Sequence, residues 1–356
     1  MTRLWTTVLA SSVPILLAAT HVVAQDASGF LWEGEIELGN ESSVSSNVSG
    51  NKITDTYLTF YLDGEYAFSD SVSVFGGLTL ESLTDPAANR AFEDMGAYVR
   101  VLGLSFAIGD NVTLAVGKIE PSFGTVWDTA AGFFSGGIAE DYQLVEQLGG
   151  LADLDMGEGG VLSLGVFFAD NSALSKSGGH KRGQNTTAAG GAGNTGELNN
   201  VSLQWMKEWD NSYALVGVRH LTAGIGDASD ETGYVAGFGY TFSNDFNVVA
   251  EVASFDGFGG SADDATYATL NAFYSIGELT LSGTYAYRDV TSAGKTKSVS
   301  VGAEYEFNDS ITLGAGLARV DDAGTKDTVL GINAVFSFGN SGETFDTGEV
   351  FVPPAI

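Results

Sequence analysis

The sequence predicts an all-β chain, a 16-stranded antiparallel transmembrane β-barrel with an inward-folded third loop. Three observations carry that expectation. Apolar residues recur at every second position through most of the chain, facing rows of charged or small residues, as strand side chains that alternate faces require. Tight turns and longer connections alternate from one end of the chain to the other, which is the pattern of a barrel whose short turns share one rim. Nothing beyond the N-terminus approaches a continuous apolar run long enough for a transmembrane helix.

The stretch Val299–Val320 shows the repeating unit. Val299, Val301, Ala303, Tyr305 and Phe307 take one face and Ser300, Gly302, Glu304 and Glu306 the other. Asn308-Asp309-Ser310 turns the chain, because Asn and Asp tolerate left-handed backbone angles. Ile311, Leu313, Ala315 and Leu317 then return along the apolar face.

Residues 1–24 read as a secretory signal: Arg3, an apolar run through Leu16–Ala19, and Val22-x-Ala24 as a small-residue cleavage site. The absence of Cys removes lipoprotein anchoring, disulfides and Cys-ligated metal from consideration. Without Arg3, 14 basic side chains face 45 acidic ones, a formal charge of −31. That balance argues against nucleic acid or anionic lipid partners. Forty-eight Gly with 5 Pro fit a wide barrel with small interior positions, a richness shared by acidic repeat toxins and adhesins.

Strand one is expected over Gly29–Leu38, with Phe30, Trp32, Ile36 and Leu38 against Glu33, Glu35 and Glu37. Three carboxylates on one face demand water there. A polar loop over 39–55 leads to strand two (Leu58, Phe60, Leu62, Tyr66, Phe68), and Ser69-Asp70-Ser71 turns it into strand three. Strand four changes phase at Leu102-Gly103, where a bulge is expected. Strand five ends near Val116. Strands six and seven flank 157–160, strands eight to fifteen pair about the turns at 210–212, 243–245, 277–278 and 308–310, and strand sixteen holds Thr328, Leu330, Ile332, Ala334, Phe336 and Phe338. The loop 171–198 is rich in Gly, Ser and Thr and reads as mobile. Aromatics such as Tyr66, Phe68, Phe106, Tyr240, Phe242, Tyr274 and Phe307 gather beside the short turns, as an interfacial girdle does. The barrel is expected over 25–338, with a periplasmic tail over 339–356.

Sixteen strands enclose a lumen too wide to fill with wall side chains alone. The third loop holds Glu120, Asp128, Glu140, Asp141 and Glu146 beside Phe123, Trp127 and Tyr142. It is too aromatic for disorder. Folded inward, these eight residues form a pore constriction; the alternative is packing over the rim or on a neighbouring subunit. Strand phase turns Arg100, Arg219 and Arg288 inward, opposed by Glu251, Glu304 and Glu306. Such a row either sets a transverse field across the lumen or relieves each charge in local pairs. The loop groups Asp227/Asp230/Glu231, Asp263/Asp264 and Asp321/Asp322 have the oxygen chemistry to hold Ca²⁺ or Mg²⁺ and bridge to lipopolysaccharide, or are simply solvated. No other cofactor is expected. His180 and His220 lie beside no fixed Ser and carboxylate, so catalysis is not expected.

With the third loop in hand, the chain resembles a Gram-negative outer-membrane porin. Within that group, Gly117, Lys118, Pro121, Phe123, Gly124, Glu146 and Gly149 resemble the pattern of LbtU-family siderophore porins. The likeness implies a passive uptake pore for small hydrophilic solutes or iron chelates, set in outer-membrane lipid, and a homotrimer. Net charge implies a cation preference. Porins close on an aromatic residue; Phe338 takes that place here, although a tail follows it.

Overall fold

The computed structural model describes residues 29–340 except 244; the signal segment 1–24 and the tail beyond 340 lie outside the described residues. Sixteen strands form one antiparallel sheet closed on itself. They are β1 (Phe30–Ser46), β2 (Thr54–Ser69), β3 (Val72–Ser82), β4 (Met95–Ile108), β5 (Val112–Ile119), β6 (Gln147–Asp155), β7 (Val161–Ala169) and β8 (Asn200–Trp209) in the first half. The second half holds β9 (Ser212–Leu221), β10 (Glu231–Ser243), β11 (Phe246–Asp256), β12 (Ala265–Ile276), β13 (Leu279–Val290), β14 (Gly294–Asn308), β15 (Ile311–Asp322) and β16 (Thr325–Gly339). Each strand pairs with its sequence neighbour, and β1 closes the ring on β16 from Glu33↔Gly339 to Ser46↔Asp327. Closure removes the open edge that a hydrocarbon environment forbids.

The outward rows are those of the alternating pattern. Leu38, Leu78, Leu104, Val216, Phe238, Val252, Leu270, Val301 and Ile332 are all exposed. Such a continuous apolar band is stable only against lipid. Beside the short turns, Tyr66 meets Phe68 edge-on with ring centres 5.1 Å apart, and Tyr240 meets Phe242 at 4.7 Å.

Four expectations change. β1 runs to Ser46 rather than ending at Leu38, so Gly39–Ser46 is strand and Glu41 joins the inward row. Asn40 and Ser42 look loop-like in sequence; here they face outward near the rim, and the Asn40 amide donates to Thr56 Oγ1 at 2.7 Å. The phase change in β4 lies at Arg100, because Gly77 pairs with Val101 and Leu78 with Val99. That bulge turns the Arg100 side chain inward beside Val101. On the long-loop rim, the last two connections are tight hairpins, Thr291–Ala293 and Ala323-Gly324, because the strands pair right up to the turn, Val290 with Gly294 and Asp322 with Thr325. Finally, the loop 171–199 is an ordered cap. Gly178 and Gly179 pair with Ala97 and Gly96, and the Asn194 amide donates to the carbonyls of Thr186 and Gly190 at 2.8 and 2.9 Å. Gly190, Gly191, Gly193 and Gly196 supply the positive φ angles those turns need.

Candidate functional site

The segment after β5 enters the barrel and follows its inner wall. It opens with the helical turn α1 (Val126–Thr129), and a 3₁₀ turn at Ala139–Tyr142 carries it back. The outbound arm is fixed by main-chain donors. Gly124 N–H donates to Gln204 Oε1 at 2.6 Å, and Thr125 N–H to Glu251 Oε2 at 2.9 Å. Asn271 both donates to Ala131 O (2.9 Å) and accepts from Ala131 N–H (3.2 Å). Irregular backbone inside a barrel must find such partners, since strand ladders no longer supply them.

Apolar packing holds the same segment. Phe123, Val126, Trp127, Ala130, Ala139 and Tyr142 share one buried cluster with Leu215, Val235, Val249, Phe255 and Tyr267 of the wall. The tip reaches further. Gly302, Gly316 and Gly331 lie directly opposite one another on β14, β15 and β16, making a smooth window in the inner wall. Phe133 sits in it so closely that a Cβ on Gly331 would lie 2.1 Å from its ring. The inward segment therefore covers the wall from β8 round to β16. The lumen left open lies between its Glu140 face and the wall of β16, β1, β2, β3 and β4.

That wall is acidic. Glu33, Glu35, Glu37 and Glu41 of β1 share the inward phase, with Asp55 and Asp63 on β2 and Glu81 on β3. Tyr57 O–H donates to Glu37 at 2.9 Å, Asn333 Nδ2 to the same oxygen at 2.6 Å, and Tyr98 O–H to Glu81 at 2.6 Å. Across the passage, burial, then Asp141, Glu81 and Glu41, push the Glu140 carboxyl up to about 8. Burial alone pushes Asp128 of α1 up to about 7.

The three inward arginines do not form a row facing carboxylates across the lumen. Arg100 donates to Asp63 and Glu120, both at 2.6 Å. Arg219 pairs with Glu231 at 2.7 Å, donates to the Tyr142 carbonyl, and lies 4.7 Å from the rings of both Phe123 and Phe255. Arg288 bonds Asp141 at 2.7 Å. Each guanidinium is spent on a neighbour, and its field is local. Glu251 faces no arginine: it accepts from Thr125 N–H and, at 2.6 Å, from Tyr142 O–H, so it anchors the inward segment. Glu304 is half-buried on β14, and Glu306 is exposed near its end.

Glu146, at the exit of the segment, accepts from the fully buried Lys118 at 2.8 Å and from Arg182 at 2.7 Å. Lys118 also pairs with Asp170 at 2.8 Å. Although burial opposes ionisation there, the Lys118 and Ser172 donors hold the Asp170 carboxyl below its usual range. This knot ties the inward segment to the capping loop. Among the described residues, no group of three or more His, Asp or Glu side chains is placed to hold a metal ion.

Sequence reasoning missed Glu41, Asp63, Glu81, Tyr57, Tyr61 and the glycine window. The first lay in a stretch read as loop. The tyrosines and Asp63 were legible as the inward phase of β2, between the apolar positions used to place that strand.

No protein-family model matches the chain, and no curated protein matches it in sequence. Solved structures do match. OmpF of Salmonella typhi in complex with daunomycin superposes with a TM-score of 0.61 at 14% identity, covering 87% of this chain and 97% of that one. The fold is that of the outer-membrane porins. OprB of Pseudomonas putida gives 0.63 at 10% identity over 87% and 94%, and a Rh. blastica porin mutant 0.57 at 15% over 87% and 100%. At these identities the likeness carries the fold.

Proposed function

We propose that this chain is a porin of the Gram-negative outer membrane, a passive diffusion channel for small hydrophilic solutes with a preference for cations. The observation that supports this best is the charge left over in the passage. Arg100, Arg219 and Arg288 are neutralised by local partners. The facing wall keeps Glu33, Glu35 and Glu41 with no cationic side chain bound to them among the described residues, and Glu140 adds its charge as pH rises through about 8. A narrow acid-lined passage with low-dielectric walls concentrates cations and repels anions. An anionic iron chelate would meet that repulsion along its whole path, so siderophore uptake is the weaker reading. The outward apolar band seats the barrel in outer-membrane lipid and lipopolysaccharide, and the porin likeness favours a homotrimer.

The test is planar-bilayer recording of purified protein across a KCl gradient. Stable channels with a reversal potential of the cation-selective sign are expected. Anion selectivity, or saturable current competed by iron chelates, would overturn the cation reading. No current at all would make the barrel a structural or adhesive one.

A further inference from the structure

We propose that the barrel carries a lateral window between β4 and β6, closed by residues 172–184 of the capping loop. These residues act as a removable panel of the wall, and their release opens the passage sideways toward the outer leaflet. The inference goes beyond the diffusion-channel reading and needs only that the barrel sits in lipid, whatever ions it prefers.

The argument starts from strand ends. β4 begins at Met95, but its ladder with β5 begins only at Leu102↔Lys118, because the chain leaves the wall after Ile119 to enter the lumen. The ladder between β5 and β6 ends at Ile119↔Gln147, and β7 ends at Ala169. Met95–Val101 therefore has β3 on one side and no wall strand on the other. Val99 and Ala97 pair with Leu78 and Leu80, outward positions of β3, so the gap reaches down into the apolar band. An open strand edge is not tolerated at that depth. The capping loop fills the gap. Gly178 and Gly179 pair with Ala97 and Gly96, and His180 N–H donates to Met95 O at 2.8 Å. The buried Lys118 Nζ donates to Leu174 O at 3.2 Å, beside its two carboxylates.

The second observation is how this stretch of wall is held. Elsewhere neighbouring strands share continuous ladders; the panel shares two residue pairs with β4. Within 172–184 only Ser175 is buried, so apolar burial contributes little to its seat. Polar contacts do the holding. Arg182 donates to Glu146 at 2.7 Å and to Ser175 O at 3.1 Å, and its guanidinium lies 4.3 Å from the centre of the Tyr98 ring. His180 Nδ1 stands 3.2 Å from an Asp94 oxygen. Segments with few buried apolar contacts open locally while the rest of the fold stays intact. Hinges are present at both ends of the tip: Gly179 has φ 82°, and open space surrounds Gly183 where a Cβ would stand. Because the bared edge of β4 would face lipid, the closed panel is the resting state and opening is brief.

The test uses the purified full chain, whose lack of Cys permits both a reporter and a lock. The reporter is Ser175→Cys, in the panel and 5% exposed. In lipid vesicles, a maleimide carried on a phospholipid headgroup should label it at least tenfold faster in the Arg182→Ala background than in the parent. Arg319→Ala, which removes a donor to Thr328 on the outside of β15, should leave the rate unchanged. The lock is Ala97→Cys, Gly178→Cys. A Cβ at position 178 meets only Ala97 O, at 4.0 Å. Directly opposed antiparallel positions have Cα atoms about 4.5–5.5 Å apart, within disulfide reach. In planar bilayers, excursions to a higher conductance should be at least tenfold more frequent in Arg182→Ala, vanish with the lock oxidised and return on reduction. Equal labelling in Arg182→Ala and the parent, or excursions that persist in the oxidised lock, would overturn the window. So would faster labelling by a water-soluble maleimide alone, since the loop would then lift into water and not away from the wall. Lipid-side labelling as described in a barrel that passes no current would overturn the diffusion channel and keep the window.

Discussion

Replacing Gly331 by Val removes the seat of the inward segment's tip. A Cβ at position 331 would lie 2.1, 2.5 and 2.6 Å from three atoms of the Phe133 ring, and one at position 316 would lie 2.8 Å from Phe133 Cβ and 2.9 Å from the Phe134 ring, so the tip is seated against glycine on two strands. Phe133 is 5% exposed, so expelling it forfeits most of its burial, on the order of 3–5 kcal/mol for a Phe lost from a packed site. The anchors at Glu251 and Asn271 lie on other strands and remain, so the loss falls on the tip alone. The chain contains no Cys, which leaves a clean background for a reporter at Ser135→Cys, a position 6% exposed beside Phe134. If labelling by a small neutral thiol reagent requires the tip to lift, 3–5 kcal/mol raises the rate by about two to three and a half powers of ten. Gly283→Val, on the lipid face with only a Ser300 main-chain atom near its Cβ, serves as the control and should leave the rate unchanged. A folded Gly331→Val barrel that labels at the parent rate would refute the docking of Phe133 in the glycine window.

Two further outcomes follow from the same contacts. The Glu140 carboxyl is raised to about 8 from an ordinary 4.5, so its neutral form favours the docked segment. That contribution to docking is fully present below about pH 4.5 and is lost as pH rises through 8. Over pH 6 to 9 the passage gains negative charge, so cation preference from reversal potentials should climb, and Glu140→Gln should make that climb smaller by the share that Glu140 contributes. Lys118→Met leaves the Asp170 and Glu146 carboxylates without their buried ammonium. A broken buried pair costs about 3–5 kcal/mol, to be read as a lower urea midpoint for the barrel in lipid vesicles.

Much of the fold was legible because the two faces of a barrel strand differ in solvent. Glu33, Glu35 and Glu37 demanded water on one side, and the apolar partners demanded lipid on the other. What the period-two pattern does not carry is where a strand stops. Asn40 and Ser42 are as acceptable facing outward at the rim as in a loop, and Glu41 was lost with them. Strand phase turns Arg100, Arg219 and Arg288 inward but does not name their partners. Asp63 and Glu120 come from β2 and from the root of the inward segment, a proximity set by closure and not by local order. Nor does a glycine announce its purpose. Gly302, Gly316 and Gly331 form a window only because three strands bring them into register, and register is a property of pairs. Ordering of the loop 171–199 escaped for a related reason: its Gly-rich composition reads as entropy, while its asparagine side chains supply the hydrogen bonds that fix it.

The central claim is that solutes pass along β1–β4 while the inner wall of β8–β16 is sealed under the inward segment. Reactivity of single cysteines with a positively charged thiol reagent tests it most directly. Glu35→Cys should react quickly and lower the K⁺ current, whereas Val249→Cys, buried in the cluster beneath the segment, should be protected. A Val249→Cys barrel modified as fast as Glu35→Cys, or a current untouched by modification at position 35, would place the passage elsewhere.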